Sequence, residues 1–366
     1  MDPVKILKRA WHILWSYRAL WVFGLILALT AGASSGGSGN SGTRFSANDK
    51  RTYQAENLPD AIQQFQQEMD RVFNQGSQKL DFAHGELNAI LWVVGIFVLI
   101  MIIFGIVMTI ARYVSETAVI RMVDEYESTD TKISVREGFR IGWSRTSWRL
   151  FLINLIVSLP AILLALTLIF TGIGVYFAVE KGNLTFTSFS VIAMIGVLFL
   201  LIFVVVILSI GLNLLRQFVW RVSALEEVGV TESFSRGWAL VRENWKSVGL
   251  MWLVMIGLGI AWAIASIILF IITIPVLIIT VIIGVIVAIV PALLLVGLFS
   301  LFLGTPLAWV FGILFVLPLF LVIAFSPWVL IGSWQAVFTS TVWTLTYREI
   351  KAMPTVLTVE EVPAAS

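Results

Sequence analysis

The hydrophobic pattern of this chain shows one arrangement three times, a short amphipathic segment followed by a long apolar run. In each short segment apolar residues recur every three or four positions, which places them on one face of a helix. Each segment also contains the same motif, in which Leu or Phe is followed by two other residues, a small residue and a Trp. The three copies are Leu7…Ala10-Trp11, Phe139…Gly142-Trp143 and Phe234…Gly237-Trp238. The pattern predicts an all-α fold with three parallel repeats of a cytoplasmic amphipathic helix plus a transmembrane hairpin.

The long apolar runs predict a polytopic helical membrane protein with about eight transmembrane helices, because each run is long enough to cross a bilayer. From Ser247 to Tyr347 the chain has 101 residues without a charged residue or a histidine. A partly re-entrant segment at Val276–Phe325 would reduce the number of spans to six. The eight expected spans are Tyr17–Ala33, Leu87–Ile110, Leu150–Val179, Ser190–Leu215, Val248–Thr273, Val276–Leu303, Leu307–Phe325 and Trp328–Tyr347.

The repeats also predict how the chain is divided. Each unit begins with its amphipathic helix and ends with a helix that returns to the cytoplasm. Two units are expected to differ from this plan. Unit one contains an extracytoplasmic segment with its own amphipathic helix at 58–73, and unit three contains an extra apolar hairpin. The expected divisions are unit one at 1–127 with the extracytoplasmic insertion at 34–86, unit two at 128–222, unit three at 223–350 with the hairpin at about 275–326, and a disordered cytoplasmic tail at 351–366.

Composition and charge support a membrane location and give an orientation. The chain is 59% hydrophobic and only 13% charged, outside the usual range of soluble proteins. Of its 24 Lys and Arg, 18 lie in the segments 1–18, 111–149, 216–246 and 348–366. The positive-inside rule therefore places both termini in the cytoplasm, and we expect a prokaryotic plasma membrane. Acidic residues accompany these bases, which argues against a nucleic-acid partner.

The first apolar run has two interpretations. A basic start, the run Ala19–Thr30 and the small residues Ala31-Gly32-Ala33 are typical of a cleavable secretory signal peptide. The segment before this run, however, matches the two internal copies of the Trp motif. That similarity favours an uncleaved first transmembrane span.

The chain has few side chains that carry chemistry. It has no cysteine and two histidines, so disulfides, metal sites and Ser-His catalytic pairs lack their residues. Phosphate-binding loops, dinucleotide fingerprints and nucleophile elbows are absent from the sequence. The acidic pair Glu226-Glu227 is expected to be solvated in a cytoplasmic loop. We expect no cofactor, no metal and no enzymatic activity.

Polar residues of the apolar runs lie near their cytoplasmic ends. Arg112, Arg149 and Arg216 are expected to reach the membrane surface with their long side chains. Asn154 and Asn213 are expected to form hydrogen bonds between helices. With no acidic residue or histidine inside the apolar runs, proton coupling has no carrier.

Tryptophans of the amphipathic segments are the candidate interfacial anchors: Trp11, Trp143, Trp238 and Trp245. Trp prefers the headgroup level of a bilayer, and basic residues beside it suit the inner leaflet. The alternative is a docking surface for a cytoplasmic partner protein. A partner could also bind the extracytoplasmic helix at 58–73.

Five prolines interrupt the last third of the chain and mark a candidate broken-helix site: Pro275, Pro291, Pro306, Pro318 and Pro327. Broken helices at corresponding places can form transporter binding sites. The alternative is a set of ordinary kinks and turns, since proline is common in membrane helices. The clustering of these breaks in one unit favours ordinary kinks.

The plan of amphipathic helix plus hairpin resembles a family of uncharacterised prokaryotic multi-pass membrane proteins. It is similar to the membrane domain that is fused to some glycerophosphodiester phosphodiesterases. The residues that carry the resemblance are the three Trp motifs and the ending Thr341-Val342-Trp343-Thr344-Leu345-Thr346-Tyr347-Arg348. The chain has too few histidines and acids for the soluble phosphodiesterase domain, so that activity does not carry over.

These observations predict a non-enzymatic integral membrane protein that acts as a scaffold or accessory module for a partner protein or a lipid process. The elaborated interfacial helices beside an uncharged interior motivate this hypothesis. The alternative is a transporter or permease for a neutral or lipid-like substrate. A polar cavity within the helices would favour the transporter.

Overall fold

The computed structural model describes residues 1–30, 84–180, 184–301 and 305–353. These residues form helices joined by short breaks, without strands, as the all-α prediction requires. The predicted helix at 58–73 and the tail beyond residue 353 lie outside the described residues. The helices are α1 Pro3–Ser16, α2 Ala19–Thr30, α3 His84–Thr129, α4 Val135–Gly142, α5 Arg145–Glu180, α6 Leu184–Leu225, α7 Val230–Glu243, α8 Trp245–Phe299, α9 Thr305–Ala324 and α10 Ser326–Ala352.

Capping residues account for the starts of two amphipathic helices. Asp2 Oδ1 accepts a hydrogen bond from the Val4 N–H at 3.0 Å. Pro3 takes the first helical position, where a backbone N–H would have no partner. Ser134 Oγ accepts a hydrogen bond from the Glu137 N–H at 3.4 Å and starts α4 in the same way. Asp and Ser are common at the N-cap and Pro at the first helical position, so both starts agree with the local sequence.

Each amphipathic helix ends immediately before a long apolar helix. The N–H groups of Tyr17, Trp143 and Asn244 each donate to the carbonyl four residues earlier, and the helix stops there. The chain then begins α2, α5 or α8 within two residues. Between α1 and α2 this break bends the chain by 100°.

Within the described residues, five helices are long and apolar enough to cross a membrane: α3, α5, α6, α8 and α9. The bent pair of α1 and α2 makes six if it counts as one span. The predicted count of about eight is not confirmed. Part of the difference lies in α8, where two expected spans form a single helix of 55 residues.

The helix boundary predicted at Pro275 is wrong, because α8 continues from Trp245 to Phe299 through both Pro275 and Pro291. Proline removes one backbone hydrogen bond, whereas breaking the helix in apolar surroundings would leave several groups unpaired. The other two predicted boundaries agree with the structure. Pro306 and Pro327 are the second residues of α9 and α10, where proline is tolerated.

Contacts between residues divide the described chain into two compact units. The first unit comprises segments within 1–39, 105–281 and 324–366. Its buried core joins α1 and α2 to the start of α8 and to the charged ends of α3, α6 and α10. Core residues include Ile13, Leu20, Met122, Phe218 and Val337.

The second unit comprises segments within 40–104 and 282–323. Here the end of α8 packs against α9, with the Phe299 ring 5.4 Å from that of Phe315. Phe315 also contacts Phe97 of α3, with ring centroids 4.9 Å apart. This unit is held by apolar contacts.

The apolar middle parts of the long helices are largely exposed within the first unit. Phe170 of α5 is 70% exposed and Phe199 of α6 is 72% exposed. Water would be a poor solvent for such long apolar surfaces, whereas lipid chains suit them. The exposure therefore agrees with a membrane protein.

Candidate functional site

The residues of the three Trp motifs share one pattern of burial. Their small residues, Ala10, Gly142 and Gly237, are buried. The Trp that follows each small residue turns outward instead. The exposed fractions are 53% for Trp11, 72% for Trp143 and 58% for Trp238.

The small residue allows the amphipathic helix to approach a preceding helix closely. A Cβ atom on Gly142 would lie 2.5 Å from the Val114 carbonyl oxygen of α3. A Cβ atom on Gly237 would lie 2.8 Å from the Val219 side chain of α6. Both distances are below van der Waals contact, so these positions exclude larger residues.

The fourth candidate anchor, Trp245, is the first residue of α8 and is 65% exposed. The Lys246 Nζ lies 5.8 Å from the centre of its ring, within the range of a cation–π contact. An outward Trp beside a cation is the combination that suits the boundary between lipid and water. Trp11, Trp238 and Trp245 lie on separate helices and Trp143 directly follows α4, so the four predicted residues do not form one pocket.

Arginines join the ends of the three helices α3, α6 and α10. Arg121 Nε of α3 donates to the Ala224 carbonyl of α6 at 3.0 Å. Arg348 Nη1 of α10 donates to the Asp124 carbonyl of α3 at 2.9 Å. The acceptor Ala224 lies three residues after Arg221 of α6, and the acceptor Asp124 lies three residues after Arg121 of α3. The two contacts are therefore equivalent in position and tie the helix ends together.

Glu226 connects α6 to α7 and α10. Its carboxylate accepts hydrogen bonds from Tyr347 at 2.6 Å, Lys351 at 2.8 Å and Arg236 at 2.7 Å. Burial raises the pKa of Glu226, but the three hydrogen bonds outweigh burial and lower the pKa from 4.5 to about 2. The side chain is 16% exposed. The expectation of a solvated pair is therefore wrong for Glu226, although Glu227 is 70% exposed.

A cavity of about 860 Å³ lies between α1, α6, α10 and the first part of α8. This volume is within the range of about 300–1,000 Å³ that small-molecule sites occupy. Aromatic and aliphatic side chains form most of its wall. The aromatic members are Trp11, Trp15, Trp252, Trp262, Trp334, Phe338 and Trp343, and the polar members are Asn213, Arg216, Gln217, Gln335 and Thr339.

Three indole rings form a tight cluster on the α1 and α10 side of the cavity. The rings of Trp15 and Trp334 lie 5.4 Å apart, and Trp21 lies 5.5 Å from each. Trp21 is anchored by its Nε1, which donates to the Leu14 carbonyl at 2.7 Å. These contacts fix the wall, because tilted and edge-to-face aromatic pairs at such distances are attractive.

The polar wall of the cavity lies mainly on α6. Arg216 Nη1 donates to Asn154 Oδ1 of α5 at 2.7 Å, which confirms the predicted interhelical role of Asn154. The Arg216 guanidinium also lies over the Trp220 ring, 4.8 Å from its centre. Two buried atoms of the wall, Asn213 Oδ1 and Trp334 Nε1, have no hydrogen-bond partner within the described residues.

A buried polar network continues from the cavity wall. Gln217 Oε1 accepts from Arg221 at 2.9 Å, and Arg221 Nη2 donates to the Ser340 carbonyl at 3.1 Å. Ser340 Oγ donates to Glu116 at 2.8 Å. Arg221 is fully buried. Where the chain is described, no three acidic or histidine side chains meet in a way that could hold a metal.

The candidate broken-helix prolines do not line this cavity. Pro275 and Pro291 lie within α8 and Pro318 lies within α9. Pro306 and Pro327 lie in the first turns of α9 and α10. The structure therefore does not bring these five residues to this cavity.

Sequence reasoning named Asn213 and Arg216 but missed that they line a cavity, and it missed Gln217, Gln335 and Thr339. Asn213, Arg216 and Gln217 follow one another at spacings of three and one, which is a polar stripe on one helical face. Gln335 and Thr339 form a similar pair at a spacing of four. The sequence therefore contained a detectable signal of the site, namely a polar stripe in each of two apolar runs. Their meeting at one cavity depends on which helices pack together.

Comparison with known proteins identifies one match. A model described as a family of unknown function, DUF7544, matches residues 7–340. The chain therefore belongs to this family. No curated protein and no solved structure matches the chain. The relation to membrane domains of glycerophosphodiester phosphodiesterases, expected from the sequence, receives no support from these comparisons.

Proposed function

We propose that this member of DUF7544 is a non-enzymatic membrane protein that holds a lipid-like molecule in the cavity and serves as an accessory module in a lipid process. The aromatic cavity carries the proposal. It has the size of a ligand site, an apolar wall and a few polar groups on two adjacent helices. Trp11 and Trp15 at its α1 side are themselves partly exposed.

The location of the cavity supports a ligand from the membrane. Its wall includes α1, an amphipathic helix with Lys5, Lys8 and Arg9, which is the kind of helix that lies at a lipid surface. The adjoining part of α8 exposes apolar side chains such as Leu253 and Ile260. A molecule with a polar head and an apolar tail could therefore extend from the cavity along a surface that already contacts lipid.

We further propose that both termini lie in the cytoplasm of a prokaryotic cell. The Asp2 N–H donates to Glu349 Oε1 at 3.2 Å, which supports a common side for the two ends of the described chain. A common side requires an even number of crossings. The excess of Lys and Arg in these segments supports the cytoplasmic side.

We also propose that the fold contains three parallel repeats with interfacial Trp anchors. Support comes from the same burial pattern in each Trp motif and from similar helix packing. The amphipathic helix α4 contacts α3 through Gly142, α7 contacts α6 through Gly237, and α1 packs against α10. Each amphipathic helix thus contacts α3, α6 or α10. The ends of these three helices are joined by Arg121, Arg348 and Glu226, a cluster that we call the polar base.

A protein partner at the amphipathic helices is the second candidate function. Trp143, directly after α4, and Trp238 of α7 are more than half exposed. Cross-linking from Trp143→p-benzoylphenylalanine in native membranes tests this candidate. Adducts with one protein would support a docking surface, whereas adducts with lipid alone would support an anchor.

Co-purification of lipid tests the leading proposal. Gly259 lines the cavity, and a side chain added there would meet no other atom within 4 Å of its Cβ. Gly259→Phe should therefore fill the cavity without forcing the backbone. Gly257→Phe, also in open space on α8 but outside the cavity wall, is the matched control.

Native mass spectrometry of the full-length protein measures the bound lipid. We expect lipid on the natural protein and on Gly257→Phe, and at least about tenfold weaker retention on Gly259→Phe, a change of 1.4 kcal/mol. Equal retention by both variants would contradict binding in the cavity. Lipid flux in proteoliposomes then separates a transporter, which moves the lipid, from an accessory module, which does not.

A further inference from the structure

We infer that the cavity selects a molecule with an anionic headgroup, which binds between α6 and α10 while its apolar tail lies among the tryptophans. This inference rests on the proposed function and adds the chemical class of the ligand. It draws on the charge of the wall, on an unpartnered indole N–H and on the arrangement of the neighbouring donors.

The charge of the wall favours an anion. Arg216 is the one charged residue among the described residues that line the cavity. Its guanidinium is oriented by the hydrogen bond to Asn154 and by the Trp220 ring. A cation fixed in an apolar wall attracts a negative group more strongly than it would in water, because the local dielectric is low.

The indole of Trp334 requires an acceptor. Its buried Nε1 has no partner within the described residues, and an indole nitrogen can only donate a hydrogen bond. Leaving such a group unsatisfied costs about 1–3 kcal/mol. Trp334 lines the cavity, and a ligand oxygen that reaches this nitrogen would remove the cost.

The remaining polar groups of the wall also supply donors. The amides of Asn213, Gln217 and Gln335 and the hydroxyl of Thr339 line the same cavity. An amide can turn its NH₂ group or its oxygen towards a ligand, and a hydroxyl can donate to an anion. A phosphate or carboxylate headgroup has several acceptor oxygens and no obligatory donor, which fits this set.

Two membrane molecules share this chemistry, an anionic phospholipid and a single-chain fatty acid. The test uses the full-length protein in neutral detergent with three probes whose apolar chains are all oleoyl, one in oleate and two in each of the others. These are dioleoylphosphatidylglycerol, oleate and the uncharged dioleoylglycerol. Native mass spectrometry gives the affinity of each probe.

We expect at least one anionic probe to bind about tenfold more tightly than dioleoylglycerol, as a charged hydrogen bond in a buried site would give. The anionic probe that binds best identifies the source as phospholipid or fatty acid. If dioleoylglycerol binds as tightly as both anionic probes, the inference is overturned while the proposed function stands. If no probe distinguishes Gly259→Phe from Gly257→Phe, the proposed function itself fails.

Trp334→Phe tests the position of the headgroup. It removes the N–H and keeps an aromatic ring. Trp328→Phe is the matched control, because Trp328 Nε1 is also buried with no partner among the described residues but lies outside the cavity wall. We expect Trp334→Phe to lose most of the anionic preference and Trp328→Phe to keep it. Retention of the full preference by a folded Trp334→Phe would overturn the inference.

Thr339→Val provides a second variant if Trp334→Phe does not fold. It removes one hydroxyl from the same wall with little change in shape. We expect this variant to bind the anionic probes less tightly and to bind dioleoylglycerol as the natural protein does. An unchanged preference in this variant would likewise contradict a headgroup between α6 and α10.

Discussion

Tyr347 donates a hydrogen bond to Glu226 at 2.6 Å and thereby connects the end of α10 to the end of α6. The same carboxylate accepts from Lys351 and Arg236, so that one acidic side chain holds three helices at the polar base. This base supports the cavity, because both α6 and α10 contribute to the cavity wall. Substitutions of Glu226 should therefore have a larger effect on the stability of the fold than on lipid binding in the cavity.

Glu226→Gln should destabilise the protein by about 1–3 kcal/mol, because hydrogen bonds to charged groups contribute that much. The amide keeps an acceptor for Tyr347 but loses the charge that Lys351 and Arg236 face. Thermal unfolding in detergent measures the effect. Glu243→Gln, at an exposed position of α7, is the control and should unfold like the natural protein. Equal unfolding temperatures for both variants would contradict the proposed role.

Glu226 should also make stability depend on pH. Its pKa is about 2 in the folded state, below the ordinary value of 4.5. The ionised carboxylate therefore stabilises the fold above pH 4.5, and this stabilisation is lost as the pH falls from 4.5 towards 2. The natural protein should lose stability over this window, and Glu226→Gln should lose less. Parallel pH curves for the two proteins would show that another group is responsible.

Gly142→Ala should destabilise the packing of α4 against α3. Its Cβ would lie 2.5 Å from the Val114 carbonyl oxygen, and overpacking of this kind costs about 1–3 kcal/mol. Gly249→Ala is the matched control, since a Cβ there meets no atom within 4 Å. In a helix such a change stabilises by up to about 1 kcal/mol. Unfolding temperatures should therefore move in opposite directions, and a shift of both in one direction would argue against the close approach.

The orientation can be tested by cysteine labelling, because the chain has no native cysteine. Ser235→Cys introduces a thiol at an exposed position of α7. We expect a membrane-impermeant maleimide to label this variant only after the cells are opened. Ser38→Cys, in the predicted extracytoplasmic insertion, should react with intact cells. The reverse pattern would invert the proposed topology.

Local features of the fold were predictable because they depend on neighbouring residues. Asp2-Pro3 and Ser134 are typical of helix starts. The periodicity of the amphipathic segments identifies the helices but not their buried face, since Trp11, Trp143 and Trp238 are more than half exposed. The break at Pro275 was wrongly predicted, because the local cost of a proline does not decide whether a helix in apolar surroundings continues.

The candidate site was less predictable because its residues come from distant parts of the chain. Arg216 and Asn154 were recognised as polar residues near helix ends, but nothing local pairs Arg216 with Trp334 across one cavity. Glu226 was expected in solvent, since an acidic pair after a helix is usually solvated. Only the packing of α7 and α10 around it brings Arg236, Tyr347 and Lys351 to its carboxylate.

The occupancy of the cavity by lipid is the central claim, and photocross-linking tests it most directly. Cells that express the full-length protein would be supplied with a photoreactive, clickable fatty acid, which they incorporate into their lipids. After irradiation, mass spectrometry identifies the cross-linked peptides. We predict adducts at 210–217 of α6 and 334–343 of α10, reduced in Gly259→Phe. Adducts confined to exposed faces such as 197–207, and unchanged in Gly259→Phe, would contradict the claim.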